Sequence, residues 1–467
     1  MQAHFLTPFF EPRSVALVGA SAVPGKPGHE SLRNMLANGY GGKIYPVNPK
    51  GGEILGRPVT PSIAELPNSV DLGVVILPAA GTPKALRELA ERGVGHVILL
   101  AGGFAEVDEG GAQIQQELEE IIRKTGVRVL GPNTSGHTST PCSFTSTFFP
   151  LGQIRRGTVS IIAQTGNFAT HTMKYILTGE HFGVCRVIGL GNKIDTDETD
   201  ALEYLADDPE TTAVVAYLES FKRPRRFLEV ASEVTRRKPV VMLKSGSTPA
   251  GKEAAIAHTA AMASEDRLVD GMLRQAGVVR VWDYTHLILA AKALSMTPLP
   301  RGNRVSFLAP SGAMLVALSD LCSRYGLEVP PGLPETVKRL QEITPAYIRM
   351  RNPVDIWASA AVSGVEFAYG EAMEAVLKDP TIDAVVPVLM LAERMGLPQS
   401  FDFILKLVQK YPEKPVLIAF SGDQTCNEAC KAFLEPRGVP TFSDIEQPFE
   451  VLSILLRCYR AMHRPRG

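Results

Sequence analysis

Three short segments of this chain occur twice, in the same order. Each copy opens with an apolar run that ends in a small-residue turn with a glycine, and later has an Asp-Pro pair and then a Lys-Pro pair, each ahead of another apolar run. The matching pairs are residues 159–167 and 305–313, 208–215 and 379–386, and 238–241 and 414–417. Apolar runs that alternate with helical patterns are typical of parallel sheets covered by helices. The repetition therefore predicts a duplicated, doubly wound α/β domain.

The same alternation fills the amino-terminal part of the chain. It predicts strands at residues 14–18, 43–47, 72–77, 96–100 and 127–130, and helices at residues 29–38, 83–92 and 111–124. A polar connector at residues 137–150 and a Pro-rich stretch at residues 297–302 suggest two boundaries. The predicted fold class is α/β, with a Rossmann-like domain at residues 1–147 followed by flavodoxin-like domains at residues 148–298 and 299–467.

Composition excludes several classes of function. The 48 Lys and Arg residues balance 49 Asp and Glu residues, so the basic footprint of a nucleic-acid-binding protein is missing. Six scattered cysteines favour a reducing compartment, and their spacing predicts no metal site. Neither a signal-like segment nor a membrane-spanning apolar run is evident. We therefore expect a soluble cytoplasmic protein without nucleic-acid or membrane partners.

One histidine, His258, lies in a loop of small residues after the strand-like run at residues 240–243. Small neighbours leave an imidazole uncovered, and an uncovered imidazole can accept and pass on a phosphoryl group. Glu219 ends the strand-like run at residues 213–218, where the ligands of open sheets bind, and could hold one imidazole nitrogen. The same residues also fit a surface histidine in a flexible loop and a solvated strand-end carboxylate.

Each repeat has a candidate anion site where its first strand turns into a helix. The first turn is Gln164-Thr165-Gly166 and the second is Ser311-Gly312. Backbone N–H groups and the positive end of the helix favour an anion at such a turn. Two turns could hold one phosphohistidine from both sides. Glycine at these places would also serve close packing of helix on strand, with no ligand.

A glycine-rich turn follows the first strand of the chain and suggests a bound cofactor phosphate. Gly19 and Ser21 are followed by Gly25 to Gly28, but the spacing lacks the full dinucleotide-binding fingerprint. Lys50 stands after the second strand, where an NAD site would have an acidic residue. A lysine there suits a cofactor that carries an additional phosphate, so coenzyme A fits better than NAD.

With these motifs, the chain resembles the α subunit of ADP-forming (NDP-forming) acyl-CoA synthetases, relatives of succinyl-CoA synthetase. The resemblance covers nearly the whole chain and includes the motifs Gly131-Pro132-Asn133, Gly191-Asn192-Lys193 and Asn352-Pro353-Val354-Asp355. It implies a phosphorylated His258, an orienting carboxylate at Glu219, and phosphate binding at Gln164, Thr165, Gly166, Ser311 and Gly312. It further implies a CoA site lined by Gly19, Ser21, Lys50, Pro78, Gly103, Phe104 and Asn133.

The resemblance also implies partners and a reaction. An ATP-grasp β subunit would bind ADP or ATP with Mg²⁺, in an α2β2 assembly, because this chain has no nucleotide-binding module of that type. The expected reaction interconverts acyl-CoA, ADP and phosphate with a carboxylate, CoA and ATP, through acyl phosphate and phosphohistidine. Two alternatives remain open from the residues: a CoA-dependent acyl or carbamoyl transferase that uses no nucleotide, and a CoA-binding regulatory subunit.

The chain departs from the family pattern beside the key residues. The family usually has Ser-His-Thr-Gly around the histidine, whereas this chain has Ala257-His258-Thr259-Ala260. At the first helix start the family usually has Ser-Gln-Ser-Gly, and here the residues are Ala163-Gln164-Thr165-Gly166. The loss of a serine removes a hydroxyl that could donate a hydrogen bond to the phosphate, and such a bond to a charged acceptor contributes about 1.5–3 kcal/mol. We expect altered phosphate handling or substrate choice.

Overall fold

The computed structural model describes residues 4–251, 253, 265–391 and 401–465. The chain divides into two compact units, of which one comprises Met1–Gly179 and Gly183–Leu287 and the other Glu180–Phe182 and Ile288–Gly467. In the described ranges no helix combines the length and the apolar character needed to cross a membrane.

The first sheet of the larger unit is five-stranded and parallel, with strand order β2-β1-β5-β6-β7. The strands of this part are β1 (Ser14–Val18), β2 (Lys43–Val47), the hairpin β3 (Glu53–Ile54) and β4 (Arg57–Pro58), β5 (Leu72–Val75), β6 (His96–Leu99) and β7 (Arg128–Leu130). Its helices are Thr7–Phe10, Pro27–Ala37, Thr82–Glu91 and Glu109–Thr125, with single turns at Ile63–Glu65 and Ala79–Gly81. All five strands and all three helices predicted here form, with ends shifted by a few residues.

The local sequence explains where these elements begin and end. Every residue of β1 is buried because helices cover both faces of the sheet, which is why the strand is a continuous apolar run rather than an alternating one. The helix Glu109–Thr125 begins at Asp108, whose carboxylate accepts the N–H of Gly111. It ends at Gly126, whose φ of 74° suits glycine.

The second sheet of this unit has seven strands in the order β14-β13-β12-β10-β11-β8-β9. They are β8 (Thr138–Ser139), β9 (Phe144–Thr145), β10 (Arg156–Ala163), β11 (Val184–Gly189), β12 (Ala213–Leu218), β13 (Val240–Lys244) and β14 (Val279–Val281). Its helical segments are Phe168–Thr172, Met173–Tyr175, Ile176–Glu180, Glu198–Asp207, Pro224–Val234 and Asp266–Ala276, and Tyr284–Met296 follows β14. Strands β8 and β9 are antiparallel.

Those two short strands revise the interpretation of residues 137–150 as a connector. Thr138 and Ser139 pair with β11, so this segment extends the second sheet although it precedes residue 148. A buried Arg186 on β11 donates to Asp208 (Nε to Oδ2, 3.1 Å) and to Glu11 (Nη2 to Oε1, 2.9 Å) near the amino terminus. These bonds tie the amino-terminal segment to the second sheet. The boundary after residue 147 stays a prediction.

The sheet of the smaller unit is five-stranded and parallel, in the order β16-β15-β17-β18-β19. Its strands are β15 (Val305–Ala309), β16 (Val354–Asp355), β17 (Ala384–Leu391), β18 (Ile418–Gly422) and β19 (Thr441–Phe442). The helices are Gly312–Arg324, Pro334–Glu342, Trp357–Ser363, Val365–Lys378, Asp402–Lys410, Gln424–Leu434 and Gln447–Met462, with a single turn at Glu435–Arg437.

The two repeats share one strand order. In the first, β10 lies between β11 and β12, followed by β13 and β14; in the second, β15 lies between β16 and β17, followed by β18 and β19. The shared Asp-Pro and Lys-Pro pairs have a common structural reason. Lys238 Nζ donates to the backbone oxygen of Asp208 at 2.7 Å, and Lys414 Nζ donates to that of Asp379 at 2.5 Å. Each lysine therefore fastens the loop ahead of the neighbouring strand in its own repeat.

Candidate functional site

A cavity of about 670 Å³ opens at the carboxyl end of the first sheet, between β1 and β5, where the strand order reverses. Reversal points of this kind leave a crevice between loops that run in opposite directions, and ligands of open α/β sheets bind there. The lining residues come from loops of both sheets of the larger unit: Gly19, Ser21, Lys26, Pro27, Gly28, Ile76, Leu77, Pro78, Leu100, Ala101, Gly102, Asn133, Thr134, Ser135, Phe148, Gln164, Thr165, Gly166, Gly191 and Asn192.

Glycine is required where β1 turns into the following helix. Gly19 has a φ of 92°, and a Cβ there would lie 2.2 Å from the Ile76 backbone oxygen. A Cβ on Gly28, in the first turn of the helix Pro27–Ala37, would lie 2.0 Å from the backbone oxygen of Gly19. The helix start therefore packs directly on the turn. This is the close approach of backbone that lets a phosphate-bearing ligand reach main-chain N–H groups.

The structure brings Gly19, Ser21, Pro78 and Asn133 of the predicted CoA residues to this cavity. Lys50 does not line it: its side chain is exposed, and its backbone N–H donates to Asn48 Oδ1 at 2.9 Å. Lys26, which the sequence analysis did not select, does line the cavity at the start of the helix. Its position immediately before Pro27 was the available signal, since proline favours the first helical position.

Gly103 and Phe104 contribute to the loop after β6 and not to the cavity wall. Phe104 is fully buried in the core between this sheet and its helices. The N–H groups of Gly103 and Phe104 donate to Glu106 Oε1 at 2.7 and 3.2 Å. Burial acts to raise the pKa of Glu106, but hydrogen bonds from Asn192 and from these N–H groups outweigh it and lower the pKa. An ionised Glu106 thus holds the loop beside the cavity in one shape.

The turn Gln164-Thr165-Gly166 lines the same cavity from the second sheet. Among the described residues, none accepts a hydrogen bond from the backbone N–H of Thr165 or Gly166. The Gly166 oxygen accepts the hydroxyls of Ser135 and Thr170, at 2.7 and 2.9 Å. With its carbonyl fixed in this way, the turn presents two N–H groups to an anion.

The helical segment after this turn differs from the expected regular helix. Phe168–Thr172 and Ile176–Glu180 are π-helical, and only Met173–Tyr175 between them is α-helical. Thr170 Oγ1 donates to the oxygens of Gly166 and Asn167, and hydroxyls that bond to preceding carbonyls compete with regular helix bonds. The side chain of Phe168 is buried and stacks against Tyr284, so it packs within the core.

The side chain of Gln164 joins the carboxyl ends of β10 and β12 by hydrogen bonds. Its Oε1 accepts the N–H groups of Glu219 and Ser220, each at 3.0 Å, and its Nε2 donates to Ser220 Oγ at 3.0 Å. The Gln164 side chain is therefore engaged within the protein. Glu219, whose Oε1 accepts the Tyr217 hydroxyl at 3.4 Å, lies directly beside this turn.

His258 lies outside the described residues. The last residue of β13, Lys244, is buried and is paired in register with Leu218 of β12, next to Glu219. Burial, together with the nearby Arg280, lowers the pKa of Lys244 to about 8. Lys244 ends β13 at the carboxyl edge of the sheet that carries Glu219 and the Gln164 turn.

The second predicted turn, Ser311-Gly312, begins the helix Gly312–Arg324 in the smaller unit. Ser311 is the N-cap residue, and its side chain makes no capping hydrogen bond. A Cβ on Gly312 would lie 3.8 Å from Asp355 Oδ2. A carboxylate so close to the helix start opposes binding of an anion there. No group of three or more potential metal ligands occurs among the residues described.

Two family models match the chain: a CoA binding domain at residues 13–139 and a succinyl-CoA ligase like flavodoxin domain at residues 156–294. The chain is 34% identical to subunit alpha of the ADP-forming acetate–CoA ligase I of Pyrococcus furiosus, over 99% of this chain and 100% of that one. It is 36% identical to the ADP-forming acetate–CoA ligase II of Archaeoglobus fulgidus, over 96% of this chain but only 66% of that longer protein.

Among solved structures, the dinucleotide forming acetyl-coenzyme A synthetase 1 of Ca. Korarchaeum cryptofilum, in complex with phosphate and ADP, matches with a TM-score of 0.90. The identity is 29%, over 98% of this chain and 97% of that chain. The chain belongs to the family of ADP-forming acyl-CoA ligases built on succinyl-CoA synthetase-type domains. This relationship confirms the resemblance, the α/β fold with a CoA-binding domain first, and the prediction of an acid–thiol ligase.

Proposed function

We propose that this chain is the α subunit of an ADP-forming acyl-CoA synthetase that interconverts acyl-CoA, phosphate and ADP with a carboxylate, CoA and ATP. The shared cavity carries the proposal. Gly19 and Pro78, at the CoA-binding sheet, and Gly166, at the anion-binding turn of the second sheet, line one space. A thioester and a phosphate bound to these two walls meet within it, which is the arrangement that phosphate attack on a thioester requires.

The chemistry follows from this placement. A phosphate oxygen attacks the thioester carbonyl carbon, the carbon–sulfur bond breaks, and CoA leaves with the proton on sulfur. A nitrogen of His258 then attacks phosphorus, the bond to the acyl oxygen breaks, and the carboxylate leaves. Glu219 stabilises the resulting imidazolium, and the N–H groups of Thr165 and Gly166 stabilise the phosphoryl oxygens.

For CoA we propose direct contacts from Gly19, Ser21, Pro78 and Asn133, and we add Lys26, because these residues line the cavity. Gly103 and Phe104 act by shaping the loop that Glu106 holds. Lys50 is exposed, and we assign it to a phosphate of the part of CoA that extends beyond the cavity. The acyl group is assigned to the part of the cavity beside Gly166, where the phosphate is proposed to bind, and acetate is the first acid to test.

The nucleotide and Mg²⁺ are proposed to bind an ATP-grasp partner subunit, in an α2β2 assembly. Two comparisons support a partner. The chain matches the full length of a relative that is named as subunit alpha, whereas it spans 66% of the single-chain relative from A. fulgidus. The additional third of that longer protein would correspond to the partner. ADP and phosphate are named together in the complex of the K. cryptofilum enzyme.

The test is transfer of phosphate to His258. The full-length chain is incubated with radiolabelled inorganic phosphate and acetyl-CoA, then with a panel of larger acyl-CoA esters, and acid-labile label is mapped by peptide mass spectrometry. We expect label on His258 that ADP, Mg²⁺ and the partner convert to ATP. The Glu219→Gln variant should label at least tenfold more slowly, since it loses the charge that stabilises the imidazolium. Label that persists in His258→Ala, or no label with any ester, would refute the proposal.

A further inference from the structure

Two consecutive residues, Asn192 and Lys193, connect the two walls of the cavity. They follow β11 and lie where the loops of the first and second sheets meet. Lys193 has a φ of 56°, in the left-handed region that a lysine enters only at a cost of about 1–2 kcal/mol. Glycine would adopt this backbone without strain. A lysine in this strained conformation points to a specific task for its side chain.

The buried amine of Lys193 holds the phosphate turn. Its Nζ donates to Gln164 Oε1 at 3.1 Å, to the Ser220 backbone oxygen at 2.8 Å and to Glu198 Oε2 at 2.8 Å. Gln164 Oε1 is the same atom that accepts the N–H groups of Glu219 and Ser220. The ammonium group of Lys193 thus holds the Gln164 side chain in place, and that side chain in turn binds the backbone N–H of Glu219. Glu198, which is fully buried, offsets its charge.

Asn192 extends in the other direction, to the CoA wall. Its Nδ2 donates to Glu106 Oε2 at 2.6 Å and to Gln115 Oε1 at 3.0 Å. Its Oδ1 accepts Nδ2 of Asn133, a residue that lines the cavity, at 3.3 Å. Asn192 thereby holds Glu106, whose other carboxylate oxygen accepts the N–H of Gly103 in the loop after β6. Two adjacent residues thus contact one wall each: Asn192 contacts the CoA side, and Lys193 contacts the phosphate turn.

We propose that Asn192 and Lys193 are positioning residues that set the distance between the CoA thioester and the bound phosphate, Lys193 through the phosphate turn and Asn192 through the CoA loops. This inference rests on the proposed function. A displacement of about 1 Å between reacting groups lowers a rate up to a hundredfold. Loss of Lys193 should therefore weaken the use of phosphate, whereas loss of Asn192 should weaken the use of CoA.

The variant that isolates the Lys193 contacts is the double substitution Lys193→Met with Glu198→Gln. It removes the amine without leaving a buried, unpaired carboxylate, and a glutamine at 198 keeps an oxygen for the N–H of Lys222, which Glu198 Oε1 accepts in the native chain. The matched control is Lys238→Met. Lys238 is also a half-buried amine that donates to backbone oxygens, but at the opposite end of the sheet.

The experiment measures labelling of the full-length chain by radiolabelled phosphate, with the acyl-CoA that labels the wild type best, and CoA binding by calorimetry. For the double variant we expect at least a tenfold rise in the phosphate concentration for half-maximal rate, with the Kd for CoA within twofold. For Asn192→Ala we expect a roughly fivefold rise in that Kd. Lys238→Met should change thermal stability alone.

The outcomes separate the two proposals. If the wild type acquires no label with any ester, the proposed function fails. If the wild type is labelled and the folded double variant keeps its phosphate dependence within twofold, the positioning role of Lys193 is refuted. The same conclusion follows if Lys238→Met raises the phosphate requirement equally, because the effect would then reflect general destabilisation.

Discussion

The substitution Gly28→Ala tests whether the close packing at the first helix start forms the CoA site. The added Cβ would lie 2.0 Å from the backbone oxygen of Gly19, and essentially no real Cβ approaches another heavy atom closer than 3.0 Å. The helix start and the turn must therefore separate by at least about 1 Å. The nearest atom belongs to the backbone, so no side-chain rotation can relieve the contact. Overpacking of this kind costs about 1–3 kcal/mol of stability.

The same displacement should also weaken the binding of CoA. Because both Gly19 and Gly28 line the cavity, a separation of this size displaces the N–H groups that would hold the ligand phosphate. We expect the Kd for CoA to rise at least tenfold, which corresponds to about 1.4 kcal/mol. The measurements are calorimetric titration of the full-length chain with CoA and thermal unfolding followed by circular dichroism.

Gly41→Ala is the matched control. Gly41 has no positive φ, and a Cβ there meets nothing within 4 Å. This variant should bind CoA as the wild type does and unfold within a degree or so of it. If Gly28→Ala also binds CoA with unchanged affinity while remaining folded, the argument that main-chain contact at this turn holds the cofactor is wrong.

Three further predictions concern charges. Lys26→Ala should weaken CoA binding about tenfold in low salt, and Lys50→Ala by less, because Lys26 lines the cavity whereas Lys50 is exposed; calorimetry at two ionic strengths checks both. Arg186→Met leaves the buried Asp208 without its cation and should lower the free energy of unfolding by about 3–5 kcal/mol, measured by urea denaturation. Burial lowers the pKa of Lys244 to about 8, so between about pH 8 and 10 the unfolded chain still binds a proton that the folded chain has lost. The free energy of unfolding of the wild type should therefore rise relative to that of Lys244→Met over this pH range. Parallel urea titrations would show no such rise if the amine were solvated.

The architecture could be predicted because it depends on patterns that repeat. Apolar runs such as residues 14–18 and 72–75 are buried on both faces, so their length and composition define them as strands. The paired segments predicted the duplication, and the two repeats have a common strand order. In each repeat the lysine of the Lys-Pro pair donates a hydrogen bond to the backbone oxygen of the aspartate in the Asp-Pro pair. The carboxyl edge of each sheet was then the expected place for ligands.

The details of the site could not be predicted because they depend on contacts distant in sequence. Lys26 rather than Lys50 reaches the cavity, since the helix that begins at Pro27 packs on Gly19. The π-helical turns follow from hydroxyls that bond to carbonyls three and four residues earlier, and no hydrophobic period reveals them. Lys193 lies 29 residues from Gln164 along the chain, and only the pairing of β10 with β11 brings them together.

The two repeats share one strand order, but they differ at the turn where the first strand of each leads into a helix. In the first repeat, the turn contains Gln164, whose amide the buried Lys193 holds in place. In the second, the corresponding residue is Pro310, which has no such amide, and Asp355 lies beside the following glycine. A negative charge at that point opposes binding of an anion, whereas the first turn has two N–H groups that no described residue accepts. Duplication has therefore produced two equivalent scaffolds but two unequal helix starts, and the first is the one that we propose as the phosphate site.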